Sequence, residues 1–373
     1  MRLGYFMMPL HPPLRNYTAT LKEDREALVL ADRLGFEEAF VGEHVTDIAE
    51  PVTSALIFIA TMLESTQRIK LGAGTINLPN NHPAQVAAQV AMIDHLLEGR
   101  FLFGISPGGL LSDAEVFGNL DRDRTAMFVE AIDQVLAIWA GEPPYDITGE
   151  YWSFSTARTM RIELGQGAIV KPYQKPHPPI VVTAVAPFSK GVVAAAQRGW
   201  TPISANFLQP CWVASHWPKY REGCALGGRV ADPADWRVAK SVFVADDEET
   251  AQRYGKGREG PYAYYFHSLM TKLIGNGRPE LFKGDLAMPD AAVTLDYVLD
   301  SLVICGTVDS VVEQLLAFRK TIGDFGTLLY AGHDWVDPKL GRRSMELMAT
   351  EVLPRVNAAI AAERAGRPRA AEA

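Results

Sequence analysis

Cysteine is nearly missing from this chain of 373 residues, with Cys211, Cys224 and Cys305 making neither a C-x-x-C pair nor a zinc-ligand spacing. An odd, scattered trio excludes a disulfide framework and reads as reduced core residues. No run of about eighteen apolar residues exists, the length a bilayer crossing needs, so no membrane partner is expected. A basic excess is also lacking: 36 Lys and Arg against 44 Asp and Glu leave a formal charge of −8. Without a basic stripe, nucleic acid is excluded as a partner. No H-E-x-x-H, Walker loop or carboxylate cluster calls for a metal or a nucleoside triphosphate. The opening MRLGYFMMPL carries one charged side chain and runs straight into Pro9, which suits a first strand better than a signal peptide and implies a cytoplasmic protein.

What is present in quantity is apolar residues, 48% of the chain, enough for one large barrel or two domains. Residues 67–109 set the pattern. An apolar strand with small residues at 69–76 is followed by a helix opening at Pro83, where no backbone N–H is needed. Val86, Val90, Ile93 and Leu97 recur on one helix face, Gly99 ends it, and a second apolar strand follows at 101–105. Continuous apolar strands joined by helices are typical of parallel sheets buried on both faces. The loops at 75–82 and 106–109 then open on one side of the sheet, the side on which such proteins do chemistry.

The rest of the chain repeats the alternation. Strands are predicted at 3–8, 38–42, 179–184, 201–204, 238–245 and 327–331. Helices are predicted from a Thr20/Glu23 capping box to Gly35, at 51–63, 125–140, 190–197, 211–224 and 307–320. Eight strands alternating with helices select an α/β fold closed as a (β/α)₈ TIM barrel, a single domain over residues 1–360. A small hairpin is expected at 146–154. Residues 255–302, between the seventh and eighth strands, are too long for a simple connection and carry Tyr262, Tyr264, Tyr265, Phe266 and His267. They read as an insertion, either a lid or a helical decoration with an aromatic core. Residues 361–373 are expected to lack structure.

Two motif matches fail their context. Gly104-Ile-Ser106-Pro-Gly108 spells a nucleophile elbow, but Pro107 has no N–H to give to an oxyanion hole. Gly255-x-Gly257-x-x-Gly260 spells a dinucleotide fingerprint, but it follows a charged helical segment rather than a strand. Asn16-Tyr-Thr18 is a formal glycosylation site without a secretory context. The polar residues left at predicted strand ends are His11, Glu43, His44, Thr75, Asn77, His82, Ser106, Thr183, Ser204, Asn206 and His333. Any one alone could be a structural hydrogen-bonded residue, but together they would line one mouth.

Leu3-Gly-Tyr-Phe6, Leu34-Gly-Phe36 through Gly42-Glu-His44, Leu71-Gly72, Leu78-Pro79, His82-Pro83, and Glu98-Gly-Arg-Phe101 through Phe103-Gly104 occur in an order and spacing that resembles the bacterial luciferase-like flavin monooxygenases. The resemblance covers nearly the whole chain. The ending from Gly326 to His333-Asp334, with Trp335 and Pro338, is most similar to the limonene and diketocamphane monooxygenases of that family. The resemblance implies a (β/α)₈ barrel that binds reduced FMN, reacts it with O2 to a flavin peroxide, and oxygenates a small apolar, terpenoid-like substrate. It implies the catalytic histidine at His44 and places Ser106 where luciferase has a cysteine beside the flavin. A non-proline cis peptide would fall at Gly74–Thr75, with Asn77 also beside the cofactor. Arg124 matches an arginine that reaches the FMN phosphate, and Thr183, Ala186 and Ser189 occupy the segment that completes that site, with Ala186 standing where the family has a phosphate serine.

His11, Asn206 and His333, with Tyr265 and His267 of the insertion, are expected to line the substrate pocket. No nucleotide-binding fold for NAD(P)H is visible, so a separate NAD(P)H:flavin reductase is expected as partner, and the family often forms homodimers. Two other readings stay open: a deazaflavin-dependent hydride transferase on the same barrel, and a flavin-binding protein without catalysis.

Overall fold

Residues 1–366 are described by a computed structural model. Eight parallel strands pair side by side in chain order: Arg2–Met7, Glu38–Val41, Lys70–Ala73, Phe101–Ser106, Ile180–Ala184, Thr201–Ser204, Arg237–Val244 and Thr327–Ala331. The eighth returns to the first with Arg2 opposite Thr327 and Tyr5 opposite Tyr330, which closes the sheet into a barrel. Because helices cover the outside, strands such as Phe101–Ser106 are buried along their whole length, which is why they read as unbroken apolar runs. The small residues among them are dictated by close approach. A Cβ on Gly104 would lie 1.8 Å from the Ala73 carbonyl oxygen, and one on Gly72 would lie 2.8 Å from the Phe40 ring.

The barrel is filled from its base. Glu38 and Arg237, at the first positions of their strands, face each other inside it with Nε–Oε1 at 2.7 Å and Nη2–Oε2 at 2.9 Å. The guanidinium lies 5.6 Å from the centroid of Phe40. Phe40, Leu102, Val181, Ile203, Ala239 and Leu329 form a separate interior layer above it. A bidentate buried pair under an apolar plug leaves no passage through the bottom, so the free space lies at the C-terminal ends of the strands.

Several boundaries differ from the sequence reading for physical reasons. The first helix, Tyr17–Arg33, starts a turn before the capping box because Asn16 caps it, its Oδ1 accepting from Ala19 N at 3.0 Å. Thr20 and Glu23 are thereby internal, and Glu23 pairs with Arg15. The third strand stops at Ala73 and resumes as Ile76–Asn77, separated by a cis Gly74–Thr75 bond, the isomer and position that the family resemblance implies. The segment at 211–224 is two helices, Pro210–Ala214 and His216–Leu226. The expected hairpin forms as Asp146–Ile147 against Phe154–Ser155.

Between the seventh and eighth strands lie helices Glu248–Gly255, Pro261–Gly275 and Leu295–Leu302, then a strand missed in the sequence, Val303–Gly306, which pairs with the outer end of the seventh. After the barrel, Pro338–Leu347 and Leu353–Gly366 are helical. Residues 361–366 therefore continue a helix, against expectation, since Ile360 and Val356 anchor it in the core. The remainder of the expected tail lies outside the described residues. Among the described residues no helix is long and apolar enough to cross a membrane.

Candidate active site

A cavity of about 230 Å³ opens at the C-terminal mouth of the barrel. Its floor is apolar, made by Ile203 and Ala239 of the interior layer and by Phe6, which packs against that layer. One wall is polar and comes from the strand ends: Glu43, His44, Gly74, Thr75, Asn77, Ser106 and Thr183. The opposite wall belongs to the insertion, where helix Pro261–Gly275 contributes Tyr265, Leu269, Lys272 and Leu273, followed by Asn276 and Arg278.

His44 follows the second strand and is held from two sides. Its Nδ1 lies 2.8 Å from Asp113 Oδ2, and Asp113 Oδ1 accepts from the backbone N–H groups of Val45 at 3.1 Å and Thr46 at 2.9 Å. Asp113 sits on a short helix, Leu111–Val116, that the sequence did not reveal. A carboxylate at Nδ1 fixes the proton there and leaves Nε2 as the working nitrogen. Nε2 lies 3.4 Å from Glu50 Oε2, a buried oxygen with no hydrogen-bond partner. Burial by itself weakens proton binding to the imidazole, but the charges of Glu50 and Asp113 outweigh it and hold the pKa above the ordinary value. Asp113 is correspondingly held low: its own partial burial is outweighed by the bonds from His44 and Thr46. Glu43 Oε2 accepts from Ala55 N at 2.8 Å, and burial pushes that carboxyl up to about 7.

Ser106, Thr75 and Asn77 form a ladder. Thr75 Oγ1 donates to Ser106 Oγ at 2.7 Å, Ser106 Oγ donates to Asn77 Oδ1 at 2.8 Å, and Gly108 N donates back to Ser106 Oγ at 3.2 Å. Every group in it is neutral. Tyr265 Oη donates to Asn206 Oδ1 at 3.1 Å, Asn206 Nδ2 to Ser241 Oγ at 3.2 Å, and Ser241 Oγ lies 3.0 Å from His333 Nε2.

Of the residues singled out in the sequence, Glu43, His44, Gly74, Thr75, Asn77, Ser106, Thr183, Asn206 and Tyr265 meet in this cavity. Arg124 stands beside it, its Nη1 donating to Gly108 O at 3.3 Å next to the lining residue Gly109. Ser189 caps helix Lys190–Gln197, its Oγ accepting from Val192 N at 3.3 Å. The Ala186 carbonyl accepts from Nε2 of buried, neutral His216, whose Nδ1 takes the Ser204 hydroxyl at 2.8 Å, so this strand-end segment is pinned from below.

Three histidines expected in the pocket do not line it. His267 is exposed, because the helix turns it away from the face that carries Tyr265 and Leu269. His333 is buried behind Tyr265, 4.1 Å from the Tyr262 centroid, and burial pushes its pKa down to about 3. His11 is buried with both ring nitrogens on carboxylates, Nδ1 on Asp334 and Nε2 on Asp24 at 3.2 Å. Nearby Glu23 and Asp334 are bridged by Arg15, whose guanidinium already occupies the space a cation would take. His82 is used as a helix cap, accepting from Ala84 N at 3.2 Å. Missed in the sequence were Asp113, Glu50 and Lys272. Their only mark is to be polar residues in or beside apolar stretches, a signal shared by many surface positions.

Residues 1–324 match the model of the family described as luciferase-like monooxygenase. The chain is 31% identical to 4-hydroxyprotoasukamycin monooxygenase of Streptomyces nodosus subsp. asukaensis, over 96% of this chain and 92% of that protein. It is also 31% identical to limonene 1,2-monooxygenase of Rhodococcus erythropolis, over 95% and 86%. Among solved structures, the oxygenating constituent of 3,6-diketocamphane monooxygenase from Pseudomonas putida, a type II Baeyer-Villiger monooxygenase in complex with FMN, superposes with a TM-score of 0.86 at 27% identity, covering 95% of this chain and 98% of that one. With the closed barrel and the polar mouth, these likenesses show that the chain belongs to the luciferase-like monooxygenase family and is an oxidoreductase.

Proposed function

We propose that this protein is the oxygenating component of a two-component FMN-dependent monooxygenase, using reduced FMN and O2 to oxygenate a small apolar substrate. The observation that carries the reading is the pairing, in one cavity, of an imidazole fixed by Asp113 with the neutral ladder Thr75–Ser106–Asn77.

The residues present fit a flavin. A neutral ladder of hydroxyl and amide groups suits an uncharged heteroaromatic ring edge with alternating donors and acceptors, and nothing stands within 4 Å of the Cβ direction at Gly109 to close the rim. Gly74, Thr75, Asn77, Ser106 and Thr183 would hold the ring system. Arg124 and the helix start at Ser189 would hold the phosphate, by a charge-assisted contact and by free N–H groups. When bound, reduced FMN supplies the two electrons with which O2 is divided between product and water.

This chain's residues do the rest. The floor of Phe6, Ile203 and Ala239 excludes water and offers an apolar seat to the substrate. His44 Nε2 is the atom that holds or moves a proton, since Nδ1 is committed to Asp113. The insertion helix covers the mouth as a lid, with Tyr265, Leu269 and Leu273 as its inner face. A separate NAD(P)H:flavin reductase supplies the reduced flavin.

The test is turnover with limonene and a diketocamphane under ¹⁸O₂, with reduced FMN delivered by an added NADH:FMN reductase. Product carrying one ¹⁸O atom supports the reading. If neither compound is oxygenated, no flavin is retained, and reduced deazaflavin drives an anaerobic reduction instead, the hydride-transfer alternative replaces it.

A further inference from the structure

Lys272 reaches the polar wall from the opposite side of the cavity. It lies on helix Pro261–Gly275, and its ammonium pairs with Asp47 and with Glu50 Oε1, the latter at 3.1 Å. Glu50 Oε2, the other oxygen of the same carboxylate, faces His44 Nε2 at 3.4 Å and has no hydrogen-bond partner. A buried carboxylate oxygen left unpaired is costly unless a nearby group holds its charge or its proton. Here one side chain from the insertion neutralises it from behind while the imidazole faces it from the front.

We propose that Lys272 is a positioning residue for His44. By neutralising Glu50 it sets the acid–base state of the imidazole, so that the seating of the insertion helix and the protonation of His44 are coupled.

The charged groups around His44 make the direction definite. Asp113 faces it from helix Leu111–Val116, Glu50 from the loop after the second strand, Glu43 from the preceding position, and Lys272, itself paired with Asp47, from the insertion helix. Glu50 and Asp113 favour the imidazolium and Lys272 opposes it. With the helix seated, the cation offsets one carboxylate and the imidazole gives up its proton more readily. With the helix displaced, Glu50 acts alone and the imidazole keeps it. The proton held at Nε2 thus reports whether the chamber is covered, in an environment whose low dielectric makes one charge count.

The inference rests on the reading of His44 as the proton-handling residue, but its test needs no flavin. The titration midpoint of His44 would be followed by NMR in ¹³C-histidine-labelled protein, with a His44→Gln variant to assign the signal. Lys272→Met is expected to strengthen proton binding at least about twofold, Lys272→Arg to leave it unchanged, and Glu50→Gln to weaken it. In the Glu50→Gln background Lys272→Met should still raise the midpoint, because the ammonium also acts on the imidazole directly, but by less than in the wild type, because the carboxylate it holds is gone. A role limited to tethering the helix would leave the midpoint unmoved in Lys272→Met, and that result overturns the proposal. So does an unmoved midpoint in Glu50→Gln, even if Lys272→Met does not fold. Failure of the oxygenation assay with these shifts intact would refute the proposed function and leave the coupling standing.

Discussion

At the scale of single residues, His44 depends on a partner supplied 69 positions later in the chain. Asp113 both anchors Nδ1 and ties down the Val45–Thr46 backbone, so replacing it with Asn keeps the shape but removes a negative charge. Asp113→Asn is therefore expected to lower the proton affinity of His44, moving the acid limb of coupled oxygenation to lower pH. An unchanged pH profile would mean that His44 takes no part in proton handling. Arg124→Ala removes one charge-assisted contact worth roughly 1.5–3 kcal/mol, so reduced FMN should bind about ten- to a hundredfold more weakly in an anaerobic titration. Equal affinity in the variant would take Arg124 out of the phosphate site. His44 was legible in the sequence because it closely follows a strand within a recognisable pattern. Asp113 was not, since a carboxylate on a six-residue helix becomes an imidazole partner only once the barrel brings two loops together.

Elements carry a second set of consequences. The strand Phe101–Ser106 passes so near its neighbour that Gly104→Ala would drive a methyl group into backbone rather than into a movable side chain. A loss of at least about 3 kcal/mol is expected, read as a large fall in the urea midpoint or as insoluble protein. The seventh strand contains the opposite case. Lys240 is buried with its ammonium 5.1 Å from the Phe318 ring, and burial pushes its pKa down to about 7. Lys240→Met keeps the length, removes the desolvated charge, and should stabilise the fold by about 1–3 kcal/mol at neutral pH, measured by chemical denaturation. The insertion helix shows where periodicity stops being informative. Tyr262 and Phe266 are core, Tyr265 reaches the cavity and His267 meets solvent, although all lie within one aromatic run. Only the packing of that helix on the mouth separates the four.

For the molecule as a whole, the closed barrel could be read from eight apolar strands because its buried faces impose that pattern on the chain. The added strand Val303–Gly306 and the closing helices escaped notice, for they decorate the barrel rather than complete it. One group links the first strand's end to the last strand's end: His11, clasped by Asp24 and Asp334. Burial opposes its charge, but the two carboxylates prevail and raise its pKa to about 9, above the unfolded value near 6.5. The resulting stability is fully present below about pH 6.5 and is lost as pH rises through 9, at most about 3 kcal/mol. The melting temperature should fall across that window, and His11→Gln should flatten this part of the curve while lowering stability in acid. A wild-type curve rising through the same window would exclude a charged His11.

Finally, a barrel stoppered at its base by the Arg237–Glu38 pair and Phe40 has, among the described residues, its doorway at the mouth. Visitors must queue: what arrives last departs first, and a late guest blocks the exit of an earlier one. An organic substrate present in excess, entering ahead of the flavin and settling on the apolar floor, would bar the door to it. Steady-state kinetics should then show inhibition at high substrate that added reduced FMN relieves, a traffic rule written by an ion pair far from any reacting atom.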